Sequence, residues 1–128
     1  MSELAATLVP PSASLIAAGS EPGVRFDVIV SEKGKPIATP SQWVPFGQEA
    51  VFEVPDRVRI VATAAVPNGG TSRVEARMYY FAEGVWVLDW DASMDAYIEY
   101  TPSFQRTMED HRHRVVVVPR AAGRPASG

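Results

Sequence analysis

The chain has 128 residues, a formal net charge of −3 and no cysteine. Hydrophobic residues make up 46% and charged residues 21%, the balance of an ordinary globular domain, which excludes global disorder and predicts one domain. The missing cysteines exclude a disulfide scaffold, a zinc ribbon and an iron–sulfur site, and the acidic charge argues against general nucleic-acid binding.

The first 23 residues differ in composition from the rest of the chain. They are rich in Ala, Ser and Pro and carry only the charges of Glu3 and Glu21, so we predict an extended N-terminal arm over residues 1–23. Its apolar stretch lacks the basic residues of a secretory signal and is broken by Pro10 and Pro11. We therefore expect either a cytoplasmic protein or an exported chain whose signal has been removed. No apolar run is long enough to predict a transmembrane segment.

Residues 24–118 have the sequence pattern of an all-β domain. No sustained helical periodicity occurs, and turn-forming residues separate short runs of β-branched and aromatic residues. We predict residues 32–48 to be a linker whose Trp43 and Phe46 close one end of the core, and residues 119–128 to be a disordered C-terminal tail. The predicted strands are 24–31, 49–54, 58–65, 72–81, 85–91 with an extension to 100, 104–108 and 112–118.

Side-chain alternation predicts how four consecutive strands pair. A three-residue loop at 55–57 sets Phe52 opposite Ile60 on the apolar face and Glu53 opposite Arg59 on the other face. The glycine-rich loop that follows preserves this alternation and sets Ile60 opposite Met78 in the next strand. The four strands therefore form a meander with one apolar face.

The last hairpin of this meander is predicted to have a three-residue loop at 82–84. Gly84 supplies the left-handed residue that such a loop needs. The resulting register sets Met78 opposite Leu88 and Arg77 opposite Asp89. On this basis the arginines and acids of the outer face pair across strands.

The apolar face of the meander needs a second layer to cover it. The strands 24–31, 104–108 and 112–118 are available, and the run of four valines in the last of them suits a buried strand. The predicted fold class is an all-β antiparallel β-sandwich of about seven strands with an extended N-terminal arm. A small closed β-barrel is the alternative.

An alternating acidic series invites a metal interpretation. Its spacing would let carboxylates share a hard cation, but the stretch lacks the glycine and the glutamate of a calcium loop. We favour a solvated face on which Asp89 pairs with Arg77. The acidic series consists of Asp89, Asp91, Asp95 and Glu99.

The histidine pair is the second candidate for chemistry. On a strand, His111 and His113 would point to one side, a geometry that metal sites use. The flanking Arg112 and Arg114 make this region electropositive, which disfavours a cation. The two histidines therefore remain weak metal candidates, and we expect no cofactor.

Sequence motifs of catalysis are absent from the chain. It contains no G-x-S-x-G, H-E-x-x-H, Walker or G-x-G-x-x-G motif. The protein is therefore predicted not to be an enzyme.

The outer face of the meander becomes apolar toward the tip of the last hairpin, which predicts an exposed patch with two arginines at its edge. A protein partner, the chain's own arm folded back, or the arm of a neighbouring copy are its possible occupants. The predicted function is a non-enzymatic protein-interaction or assembly domain that docks a partner or another copy through this patch, its arm or both. The patch consists of Tyr79, Phe81, Val85 and Val87, with Arg57 and Arg59 at its edge.

The aromatic side chains and the histidines leave two alternatives to protein binding. One is a carbohydrate-binding module that stacks sugars on aromatic side chains, and the other is a metal-dependent activity at His111 and His113. Nucleic acid is not expected, because five acids and no base lie between Glu83 and Glu99. The possible sugar platforms are Trp43, Tyr79, Tyr97 and Tyr100.

Overall fold

The structure is a computed structural model that describes residues 21–97, 102–109 and 111–125. None of these residues forms a helix long and apolar enough to span a membrane. The described residues form nine strands: β1 (Pro22–Glu32), β2 (Lys35–Ala38), β3 (Ser41–Pro45), β4 (Ala50–Val54), β5 (Val58–Ala64), β6 (Ser72–Ala82), β7 (Val85–Ala96), β8 (Phe104–Thr107) and β9 (His113–Gly123).

The strands form two antiparallel sheets that pack against each other. Sheet A has the order β2-β1-β9-β8, with β3 also paired to β1, and sheet B has the order β4-β5-β6-β7. The predicted all-β sandwich is confirmed, and the alternative of a closed barrel is not what the described strands form. β1 and β9 pair along their whole length, from Pro22 opposite Gly123 to Glu32 opposite His113.

The core lies between the sheets and takes alternate residues from each strand. On β5, Val58 and Ile60 are fully buried while Arg59 between them is half-buried. In the valine run of β9, Val115 and Val117 are buried and the two valines beside them face outward. Each fully buried Val or Ile side chain contributes about 1.5–3 kcal/mol, so this alternation is the main driving force for the packing of the two sheets.

The ends of the sandwich lie beyond the predicted domain boundaries. β1 begins at Pro22 and β9 ends at Gly123, so part of the predicted arm and residues 119–123 of the predicted tail are strand. The rest of the predicted arm, residues 1–20, lies outside the described residues, as do Glu99, Tyr100 and residues 126–128.

The predicted linker contains two strands that the sequence pattern did not indicate. β2 and β3 both pair with the same edge of β1, along different parts of it. Prolines at 36, 40 and 45 limit both strands to this edge, where missing backbone donors cost least. Phe46 packs against the core as predicted.

Trp43 does not close the core, which corrects the prediction. Its neighbour Val44 is buried, so the indole lies on the outer face of sheet A. The ring packs over Gly23, where an added Cβ would come within 2.5 Å of the ring atoms. The indole Nε1 donates a hydrogen bond to the carbonyl of Ala122 at 3.0 Å. Trp43 therefore joins β1, β3 and β9 from outside.

The first hairpin of sheet B has the predicted register. Phe52 lies opposite Ile60, and Glu53 lies opposite Arg59. The next pairing sets Ile60 opposite Met78. The alternation of apolar and polar side chains was therefore sufficient to predict these pairings.

The register predicted for the β6–β7 hairpin is wrong. Ala82 pairs with Val85, so the loop has two residues, Glu83 and Gly84. Their φ angles of 52° and 80° match the two left-handed positions that such tight hairpin loops favour.

A bulge then changes the register along the hairpin. Tyr79 pairs with Leu88 but Met78 pairs with Trp90, so Asp89 is an extra residue of β7. Arg77 consequently lies opposite Asp91 and not opposite Asp89. The extra residue exchanges the two faces of β7 on its tip side.

Candidate interaction surface

Asp89 is held in place by contacts from sheet A. Its side chain is 1% exposed and accepts a hydrogen bond from Arg106 Nε at 2.9 Å. The backbone N–H of Glu109 donates a second hydrogen bond to it at 3.0 Å. We predicted that Asp89 lies on a solvated face and pairs with Arg77, and both predictions are wrong. Asp89 instead joins the edge strands of the two sheets.

Aromatic packing reinforces this junction. The Arg106 guanidinium lies 5.6 Å from the centroid of the Trp90 ring. Trp90 in turn meets Phe104 edge to face, with ring centroids 6.1 Å apart. Because β7 and β8 belong to different sheets, these contacts fix the position of the bulge relative to the whole sandwich.

Exposed ion pairs lie on the outer face of sheet B away from the tip. Arg73 contacts Asp95 at 3.3 Å, and Arg77 contacts Glu49 at 2.8 Å. All four side chains are more than two fifths exposed. Arginines and acids therefore do pair across strands, as predicted, but their partners differ from those in the predicted register.

The tip side of the bulge carries apolar side chains on the same outer face. Phe81 lies opposite Trp86, and Tyr79 lies opposite Leu88. We call these four residues the tip surface. The rings of Phe81 and Trp86 pack edge to face with centroids 5.0 Å apart, and Leu88 is 50% exposed. The other three residues are half-buried.

The predicted patch is therefore corrected in two of its four apolar members. Val85 and Val87 pair with Ala82 and Tyr80, which places them on the opposite side of the hairpin from Tyr79 and Phe81. The physical reason is the extra residue, because side chains alternate with a period of two and one insertion reverses the faces. Trp86 and Leu88, which the predicted three-residue loop would place on the core face, take the places of the two valines.

The two arginines predicted at the edge differ in their contacts. Arg57 reaches Glu32 of sheet A at 3.2 Å. Arg59 lies between Glu53 and Tyr79 in the register of sheet B. Among the described residues it forms no ion pair with Glu53 or any other acid, and its Nε is buried without a hydrogen-bond partner.

A polar cleft opens beside the tip surface, at the end of the sandwich where β1 ends. Its volume is about 500 Å³. Phe81 and Arg57 belong to both the cleft and the predicted patch, so the cleft and the tip surface are continuous. We call it the end cleft; it is lined by Glu32, Pro55, Asp56, Arg57, Phe81, Arg112 and His113.

The histidines do not form the predicted pair on one strand. His111 is exposed in the turn before β9, with a φ of 55°. His113 begins β9 and is 5% exposed, with Nε2 3.5 Å from Glu32. Within the part of the chain that the structure describes, no three His, Asp or Glu side chains are grouped as metal ligands would be.

The aromatic residues proposed as sugar platforms do not lie together. Trp43 is on the outer face of sheet A, where the Arg124 guanidinium covers its ring at 4.7 Å from the centroid. Tyr79 is on the outer face of sheet B, and Tyr97 is 57% exposed beyond the end of β7. Tyr100 lies outside the described residues.

One carboxyl group on sheet A has a shifted pKa. Burial raises the pKa of Asp27, but hydrogen bonds from Ser41, Arg120 and Arg25 outweigh it and hold that pKa below its ordinary value of 3.8. The closest contact from an arginine is that of Arg120 Nε at 2.7 Å. The cluster stabilises the outer face of sheet A and is separate from the tip surface.

No protein family, curated protein or solved structure matches this chain. Its function is therefore argued from the geometry of its own residues.

Proposed function

We propose that the protein is a non-enzymatic interaction domain that docks a partner protein on the tip surface. One observation carries the proposal: an outer sheet face that carries exposed ion pairs away from the tip becomes aromatic and aliphatic on the tip side of the bulge. Leu88, on the edge strand β7, is half exposed. Aromatic side chains of this kind are enriched at the energetic centres of protein interfaces.

The packing of the hairpin supports the same function. The ring pair of Phe81 and Trp86 has a defined edge-to-face geometry, and Asp89 and Arg106 hold the bulge behind it. A surface whose side chains are ordered before binding loses less conformational entropy when a partner docks. The tip surface therefore has the properties of a pre-organised docking site.

The experiment compares two substitutions on opposite faces of one hairpin. Leu88→Asp places a charge on the tip surface, whereas Val85→Asp places the same charge on the other face at an equally exposed position. Wild type and both variants are immobilised, and the proteins that each retains from an extract of the source cells are identified by mass spectrometry. Light scattering of each variant measures self-association in parallel.

We expect a partner, or self-association, that survives Val85→Asp and is lost in Leu88→Asp. An unchanged β-sheet circular dichroism spectrum shows that both variants are folded. Equal binding by all three proteins would refute the tip surface as the docking site. Loss in Val85→Asp alone would instead favour the face with Val85 and Val87.

A further inference from the structure

Arginine side chains of this protein are as a rule paired with acids. Most arginines among the described residues form an ion pair with a carboxylate. These pairs hold both the outer faces and the junction between the sheets. They are Arg25–Asp27, Arg57–Glu32, Arg73–Asp95, Arg77–Glu49, Arg106–Asp89, Arg120–Asp27 and Arg124–Glu21.

Arg59 departs from this rule. Glu53 lies directly opposite it on β4, yet the two side chains form no ion pair. The Nε of Arg59 is buried and has no hydrogen-bond partner in the part of the chain that the structure describes. A buried donor without an acceptor costs about 1–3 kcal/mol, and native structures contain few of them. Because Nε is buried, an acceptor from outside the chain would instead bind the two terminal nitrogens of the guanidinium, which are not buried in this way and form no ion pair with an acid of the described residues.

The position of Arg59 connects it with the tip surface. Tyr79 lies directly opposite it on β6, and Leu88 lies opposite Tyr79 on β7. Arg59 and Leu88 are thus two strand spacings apart, about 10 Å, which an extended peptide covers in about three residues. One bound segment can therefore contact both.

We propose that Arg59 binds a carboxylate of the docked partner. This inference rests on the proposed function and specifies the chemistry of the partner: an extended segment with an Asp or Glu about three residues from a bulky apolar side chain. The acid accepts hydrogen bonds from the guanidinium, whose planar fork matches a carboxylate. The apolar side chain packs on the tip surface beside Leu88.

A peptide selection tests this chemistry directly, because it needs only the chain itself as bait. A random peptide library displayed on phage is selected on the full chain, and the strongest binder is synthesised with a fluorescent label as the probe. We expect selected peptides to carry an acid about three residues from Leu, Phe or Trp. Affinity for the probe is then measured by fluorescence anisotropy.

The variants separate the charge of Arg59 from its apolar stem. Arg59→Met keeps the apolar stem and removes the cation. We expect it to lower the affinity for the probe about 10-fold to 100-fold, which is the effect of losing a hydrogen bond to a charged group. Replacing the acid of the probe by its amide should lower the affinity of the wild-type protein by the same factor. The affinity of Arg59→Met should not change. Arg77→Met is the matched control, because Arg77 lies on the same face and is paired with Glu49.

The outcomes distinguish this inference from the proposed function. The inference is overturned if the selected peptides lack an acid, or if they carry an acid but bind Arg59→Met as tightly as wild type. If their binding is still lost in Leu88→Asp, the tip surface remains the docking site. A selection without any peptide that depends on Leu88 contradicts both proposals. If a synthetic peptide of residues 1–20 displaces the probe, the chain's own N-terminal residues occupy the tip surface. That result would overturn the proposal of an external partner.

Discussion

The β6–β7 hairpin has two halves whose outer faces differ in chemistry. In the half that joins residues 72–78 to 90–96, the outer face carries exposed ion pairs such as Arg73 with Asp95. In the half formed by residues 79–88, the same face carries the tip surface. The strands and the sheet are the same in both halves. The two halves meet at a single extra residue, Asp89.

This difference shows how one residue determines what a sheet presents to solvent. Because side chains alternate along a strand, an inserted residue turns all side chains on one side of it to the opposite face. In β7 these are the side chains between the insertion and the hairpin loop. With the bulge, Trp86 and Leu88 face outward; in a regular ladder Val85 and Val87 would face outward with Phe81. The chemistry of the tip surface therefore depends on the contacts that hold Asp89.

The largest effect is expected from removing the cation that holds the bulge. Arg106→Ala leaves the carboxylate of Asp89, which is 1% exposed, without its ion-pair partner. Breaking a buried pair from one side costs about 3–5 kcal/mol, measured as the free energy of unfolding in urea. Arg73→Ala, whose pair is exposed, is the control with a cost below about 1 kcal/mol. Equal costs for the two variants would contradict a locked bulge.

The two halves are also expected to differ when an apolar side chain is truncated. Met78 is fully buried, and Met78→Ala should cost about 2–5 kcal/mol of unfolding free energy. Leu88 is 50% exposed, and Leu88→Ala should cost about 1 kcal/mol or less. Denaturation of both variants under the same conditions gives the comparison. If Leu88→Ala is as costly as Met78→Ala, Leu88 is covered and the tip surface is not free to dock a partner.

Two arginines of one outer face are expected to respond with opposite signs. Arg77→Met removes an exposed ion pair and should destabilise by less than about 1 kcal/mol, with a smaller effect in high salt. Arg59→Met removes a buried donor that has no acceptor, so it should leave stability unchanged or raise it by up to about 1 kcal/mol. Thermal unfolding of both variants measures the sign. A clear destabilisation by Arg59→Met would show that Arg59 already has a partner within the chain.

The smallest effect concerns pH and lies away from the hairpin, on sheet A. The pKa of Asp27 is lowered in the fold, so its ionised form stabilises the protein above the ordinary value of 3.8, and this contribution is lost as the pH falls through the lowered pKa. Asp27→Asn should therefore be less stable than wild type at neutral pH and should lose less stability on acidification below about pH 4. Unfolding midpoints across this range check the sign. Parallel curves for the two proteins would exclude a role for Asp27.

The sequence predicted the sandwich and two of the three pairings in sheet B, because alternating apolar residues report directly which face is buried. Phe52 with Ile60 and Ile60 with Met78 follow from this pattern alone. Strands β2 and β3 were missed because they lie at an edge and are interrupted by prolines. Edge strands have a weak pattern, since one neighbour and part of the burial are absent.

The tip surface could be predicted only in part. Tyr79 and Phe81 precede the bulge along the chain, so their face followed from the regular pattern. In a regular ladder, a two-residue loop at Glu83 and Gly84 would place polar side chains of one strand opposite apolar side chains of the other. An inserted residue makes this loop compatible with the apolar and polar faces of the remaining hairpin. The position of the insertion depends on Arg106, a contact from the other sheet that no local pattern reveals.

The bulge at Asp89 turns Trp86 and Leu88 outward beside Phe81 and Tyr79, and the proposed docking depends on this arrangement. The most direct test is a nuclear Overhauser spectrum of the full chain with assigned aromatic and methyl protons. The structure predicts cross-peaks between the rings of Phe81 and Trp86 and between Tyr79 and the methyl groups of Leu88. Cross-peaks from Phe81 to the methyl groups of Val85, with none to Trp86, would show the regular register and contradict the account.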